Sequence, residues 1–142
     1  MKAYAGFVTP GVLPDSGKRE EFKTGAVRDI IIGKGRYDLL SSIAIHRLAQ
    51  HSENGGIKYE DRNWEKGIPL KRFLDSALRH LFQLLDGGES EDHAAAVMWN
   101  VQCFIHTQEK IRRGELSKEL AEGLSWNPIP LVKWEIQLKE NK

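Results

Sequence analysis

The stretch EDHAAAVMWN, residues 91–100, decides how the rest of the chain is read. Alanine has the highest intrinsic helix propensity, so three in succession mark a helix. Ser90 stands before it as a candidate N-cap, because a serine oxygen can accept a bond from a free amide of the first turn. Glu91 and Asp92 follow at the positive end of the helix dipole. At the other end EKIRRG (109–114) supplies basic residues, with Gly114 as the stop. These signals predict a helix over 90–113. Its alanines bury little themselves. They matter where another helix or a ligand must come close.

At about 100° per residue, with Asp92 as zero, His93 falls near 100°, Ala96 near 40° and Asn100 near 80°. Asp92, His93 and Asn100 therefore line one face, with Ala96 as the flat ground between them and Ala95 and Trp99 beside it. Such a stripe is a poor core seam and a reasonable wall for a pocket that admits something charged and hydrated. A plainer reading stands beside it. The acids then only complement the dipole, His93 is exposed, and Asn100 caps a neighbouring loop.

Working outward, DLLSSIAIHRLAQHSEN (38–54) predicts a first long helix with a stripe at Leu39, Leu40, Ile43, Ala44, Arg47 and Leu48. Gly55-Gly56 is expected to end it. Residues 57–68 read as a loop carrying two aromatics, Tyr59 and Trp64. They either pack back on the core or stack on a base. PLKRFLDSALRHLFQLL (69–85) predicts a second helix, with Pro69 in its first turn and a broad apolar face from Leu70 to Leu85. LSKELAEGL (116–124) predicts a short fourth helix. Residues 1–36 hold six of the 13 glycines and read as an irregular arm with one short extended piece at 27–32. Residues 126–142 read as an extended tail, alternating from Leu131 to Leu138. The expectation is one all-α domain: a bundle of three long helices plus a short fourth over 37–125.

Composition narrows the partners. The 21 basic and 20 acidic residues leave a net charge of +1, which gives no basic surface for nucleic acid. Cys103 is the single cysteine. It cannot form an internal disulfide or a cysteine zinc site, and its neighbours Val101, Phe104 and Ile105 make it a core residue. No apolar run approaches the roughly 20 residues needed to span a bilayer. The N-terminus lacks the apolar stretch of a secretory signal, so the expected location is the cytoplasm.

Polar groups recur on three helices: Glu53 on the first, His80 on the second, and Glu91 and Asp92 on the third. Burying such groups without a use is costly. Carboxylates from facing helices are how bundles hold divalent metals. Oxygen donors with some imidazole suit Mg²⁺ or Mn²⁺ better than a structural zinc.

Four segments carry a family resemblance: EFKTGAVRD (21–29), GKGRYDLL (33–40), KYEDRNWEKGIPLKRFLDSALRHL (58–81) and EDHAAAVMWN (91–100). The chain resembles the phage-associated dATP/dGTP diphosphohydrolase N-terminal domain, a relative of the MazG-like all-α nucleoside triphosphate pyrophosphatases. The resemblance implies hydrolysis of a (deoxy)nucleoside triphosphate to monophosphate and pyrophosphate. It also implies acidic residues holding Mg²⁺ or Mn²⁺, which lower the pKa of the attacking water. On that basis Glu53, Glu91 and Asp92 are candidate metal ligands, and His80 and Asp92 are candidate catalytic residues. Lys58 and Arg79 would meet phosphate oxygens, Asn63 and Asn100 the base or sugar, and Tyr59 would stack. His93 would line the substrate pocket. Such helical enzymes assemble as homo-dimers or tetramers.

The sequence departs from the MazG-like pattern of one ExxE and one ExxD pair. Glu89 and Asp92 form an ExxD only at a helix start, and Glu53 has no partner at ExxE spacing. Histidines stand where acids are expected. The alternative implied is a non-catalytic nucleotide- or protein-binding module.

Overall fold

The computed structural model describes residues 15–124. They divide into two units, 15–39 and 40–124, each with its own internal contacts. The expected alternation at Leu131–Leu138 lies outside the described residues.

In the first unit two short strands, β1 (Arg19–Glu21) and β2 (Val27–Asp29), pair antiparallel. The register sets Glu20 opposite Arg28, an opposite-charge cross-strand pair. Gly25, at φ +84°, makes the turn, and its amide donates to the Phe22 carbonyl at 2.8 Å. The extended piece expected at 27–32 is thus the shorter strand Val27–Asp29, and its partner REE is too polar and too short to show alternation in the sequence. Asp29 ties the unit together. It accepts from the Lys34 ammonium at 2.7 Å and from the Ser16 hydroxyl and amide, and Lys34 first of all lowers its carboxyl pKa to about 2. A 3₁₀ turn, Tyr37–Leu39, follows.

The second unit holds α1 (Ser42–Lys58), α2 (Leu70–Leu85) and α3 (His93–Arg112). Ser41 caps α1 by accepting the Ala44 amide at 3.2 Å. The helix runs through Gly55-Gly56 rather than stopping there. Glycine ends a helix only where the chain turns left-handed, and neither residue has a positive φ. Gly56 answers a different need. A Cβ there would lie 2.8 Å from Asp61 Oδ1, so its absence admits the returning loop. Arg62, at φ 59°, leads that loop into a 3₁₀ turn, Asn63–Lys66. Pro69 sits just before α2 as its N-cap residue. The expected fourth helix is one 3₁₀ turn, Lys118–Ala121. So short a segment cannot recover the cost of α-helix nucleation.

The core lies between α2 and α3. Leu70 and Phe73 meet Cys103 and Ile111, and Trp64, Trp99, Phe104 and Leu116 close around them. Each large apolar side chain so buried contributes about 1.5–3 kcal/mol. Burial pushes the Cys103 thiol up to about 12, so it stays protonated as a small core group. The stripes expected on α1 and α2 are only partly used. Leu48 is the one buried residue of α1, while Ile43 is 74% exposed. On α2, Leu78, Leu81 and Leu85 face solvent. Three helices cannot cover every apolar face, because α1 packs on α3 and α3 takes the inner side of α2.

Candidate functional site

The seven-residue link between α2 and α3, DGGESED, folds back so that the start of α3 meets the last turns of α2. Gly87, at φ +75°, begins the reversal, and the Gly88 amide donates to the Gln83 carbonyl at 2.8 Å. This brings His93 onto His80. Their Nδ1 atoms are 3.0 Å apart, and both residues are buried, at 2% and 6% exposure. Glu91 Oε1 approaches the same two nitrogens, 3.6 Å from His80 and 3.9 Å from His93. Ser90 Oγ lies 3.4 Å from His93 Nε2 on the far side of that ring. Burial lowers the pKa of His80, opposed by the nearby Glu91 charge, so the imidazole is held neutral with a lone pair to offer. Two imidazoles and a carboxylate so placed can share a proton or grip a cation. Among the described residues this is the one group of three such donors converging on one point.

Asp92 belongs to a separate arrangement. Its Oδ1 accepts the Ala95 amide at 3.0 Å, which makes Asp92 the N-cap of α3 in place of the expected Ser90. Arg47 of α1 grips the same carboxylate with Nε at 2.7 Å and Nη2 at 2.5 Å. The Arg47 hydrogen bond, then the Ala95 amide, lowers the Asp92 carboxyl pKa to about 2. Arg47 appears in the sequence only as part of a helix stripe. No spacing rule connects it to a residue on another helix, so this partner is not visible there.

The other candidates are dispersed. Glu53 is exposed on α1 and stands outside the donor cluster. The Lys58 ammonium lies 5.1 Å from the ring centre of Tyr59, which is exposed. Asn63 opens the 3₁₀ turn before α2 and is half-buried. The Arg79 guanidinium donates to Ser76 Oγ at 3.2 Å, one residue from the helical pairing with Asp75 that its spacing allows. Asn100 is buried, and its amide donates back to the Ala96 carbonyl at 2.8 Å. Trp64 and Trp99 meet edge-on at 6.2 Å, with His106 and His51 against them. Trp64 thus packs back on the core rather than presenting a face.

Fold and site together define a small helical domain with a buried histidine pair and a carboxylate at one interhelical corner. The chain belongs to the family described as dATP/dGTP diphosphohydrolase, N-terminal, whose model matches residues 24–117. That span contains every candidate site residue. No curated protein and no solved structure matches the chain significantly. Among the described residues no helix is long and apolar enough to cross a membrane.

Proposed function

We propose that the protein hydrolyses a (deoxy)nucleoside triphosphate, of purine type, to the monophosphate and pyrophosphate. The observation that carries this reading is the family match, which spans His80, Glu91 and His93 together with the flanking basic residues. Water attacks the α-phosphorus and pyrophosphate departs. Neutral His80 is suited to take the proton from that water, and Arg79 and Lys58 offer charge to the triphosphate. Tyr59, exposed, is available to stack on the base, and Asn63 to read it. A cytoplasmic setting, a phage association and kinship with MazG-like enzymes complete the reading.

The three carboxylates expected to hold Mg²⁺ do not make a cage for it. Both Asp92 oxygens are engaged by Arg47, and Glu53 stands apart, which leaves Glu91 alone. Mg²⁺ requires near-octahedral oxygen coordination. In this reading Mg²⁺ (or Mn²⁺) enters as the counter-ion of the triphosphate. Assembly into dimers or tetramers would cover the apolar groove between α1 and α3, which Ile45, Leu48, Met98, Val101 and Ile105 line.

The same shortage of free carboxylates favours a second reading, a binding module without turnover. One assay separates the two. The protein is incubated with each common ribo- and deoxyribonucleoside triphosphate and Mg²⁺ or Mn²⁺, and monophosphate and pyrophosphate are measured together. Equimolar release, lost in Glu91→Gln, supports the hydrolase. Nucleotide binding without release from a folded protein supports the module.

A further inference from the structure

His80, Glu91 and His93 form a donor set unlike the one Mg²⁺ takes. We infer that they bind a single borderline divalent transition cation, of the Mn²⁺ to Zn²⁺ series, through the two Nδ1 atoms and a Glu91 carboxylate oxygen. The geometry carries this. The three atoms form a triangle with sides of 3.0, 3.6 and 3.9 Å. The point equidistant from its corners lies about 2.1 Å from each. First-row metals bind imidazole nitrogen and carboxylate oxygen at about 2.0–2.2 Å. A hydrogen bond between two imidazoles accounts for the 3.0 Å side alone. It does not account for a third donor placed on the same centre.

The surroundings agree with a ligand site. Both imidazoles are buried with the same nitrogen turned inward. Ser90 Oγ stands near His93 Nε2, where a ligating histidine normally has an outer partner that fixes its tautomer. Gly88 lies flat against the ring, since a Cβ there would come within 3.0 Å of Nε2. Glu91 is half exposed, so the centre has a path to solvent and a position for water or a phosphate oxygen. Imidazole is a borderline donor and selects Mn²⁺, Fe²⁺, Co²⁺, Ni²⁺ or Zn²⁺ over Mg²⁺.

This inference stands on local geometry and does not depend on the diphosphohydrolase reading; it replaces the base role given to His80 there, because a neutral imidazole has one lone pair and here that pair goes to the cation. The test uses the full chain, stripped with EDTA and dialysed. Co²⁺ is titrated while its visible d–d absorption is followed, and Zn²⁺, Mn²⁺ and Mg²⁺ are titrated by calorimetry. The expected result is one Co²⁺ per chain, with Mn²⁺ weaker and Mg²⁺ weaker than Co²⁺ by on the order of 100-fold. Glu91→Gln should weaken Co²⁺ at least about tenfold, and His93→Gln should abolish the bands. An exposed-histidine control, His46→Gln, should leave them unchanged. Circular dichroism checks each fold. Should His93→Gln not fold, Glu91→Gln at its exposed position decides alone. Absence of d–d bands in the parent, Mg²⁺ as tight as Co²⁺, or Co²⁺ binding unaltered by Glu91→Gln overturns the inference. Pyrophosphate release with Mg²⁺ in a chain that binds no Co²⁺ overturns it and leaves the hydrolase reading standing. Co²⁺ binding without turnover does the reverse.

Discussion

The guanidinium of Arg47 holds both carboxylate oxygens of Asp92, 45 residues away, at 2.7 and 2.5 Å. One ion pair joins α1 to the first turn of α3 while the same carboxylate caps α3. The two roles separate by substitution. Asp92→Ala loses both, and the cap alone is worth about 0.5–2 kcal/mol. Asp92→Asn keeps a capping oxygen and loses only the partly exposed pair, at a cost of about 1 kcal/mol or less. Urea denaturation should therefore rank Asp92→Ala clearly below Asp92→Asn, and equal midpoints would show that the cap contributes nothing.

Glu109 sets an acid-side limit on stability. Its carboxyl pKa is lowered to about 2, first by the Arg112 hydrogen bond and then by Arg113. A carboxylate depressed in the folded state stabilises fully above its ordinary pKa of 4.5, and this is lost as pH falls from there toward 2. For partly exposed pairs the gain is about 1 kcal/mol at most. Glu109→Gln should lower the denaturation midpoint at pH 7, and the difference from the parent should close as pH drops below 4. A difference independent of pH would assign the effect to packing instead.

Gly88→Ala should destabilise the α2–α3 corner. The new Cβ would lie 2.9 Å from the Gln83 carbonyl and 3.0 Å from His93 Nε2, and the first neighbour is backbone that cannot swing away. Overpacking of this kind costs about 1–3 kcal/mol. Thermal melting measures it. A melt unchanged from the parent would show that the link relaxes freely.

Phe73→Ala tests the core. Phe73 is 2% exposed between α2 and α3, and such truncations cost about 3–5 kcal/mol. That is a large share of a domain's total stability. A loss below about 1 kcal/mol would mean the core collapses around the gap.

Cys103 should be silent toward thiol reagents until the chain unfolds. It is wholly buried and its thiol pKa is pushed up to about 12 by that burial. Labelling in native buffer should be negligible and complete in denaturant. Rapid native labelling would show the core opening locally.

The sequence by itself determined the helices and their class. Alanine propensity at 94–96, the 3.6-residue periodicity of 70–85 and the basic end of α3 are local signals, and local signals decide which segments become helical. The placement of Cys103 in the core followed in the same way. The tertiary structure decided the rest. Gly55-Gly56 reads as a stop, yet α1 continues because the approach of Asp61, not a left-handed turn, is what needs glycine there. Asp92 reads as a metal ligand, yet it is committed to Arg47, which no spacing rule links to it. His80 and His93 stand on different helices, and only the fold of the intervening link brings their nitrogens to 3.0 Å. A side chain's partners depend on which faces meet, and that is set by the packing of the whole unit rather than by the residues on either side.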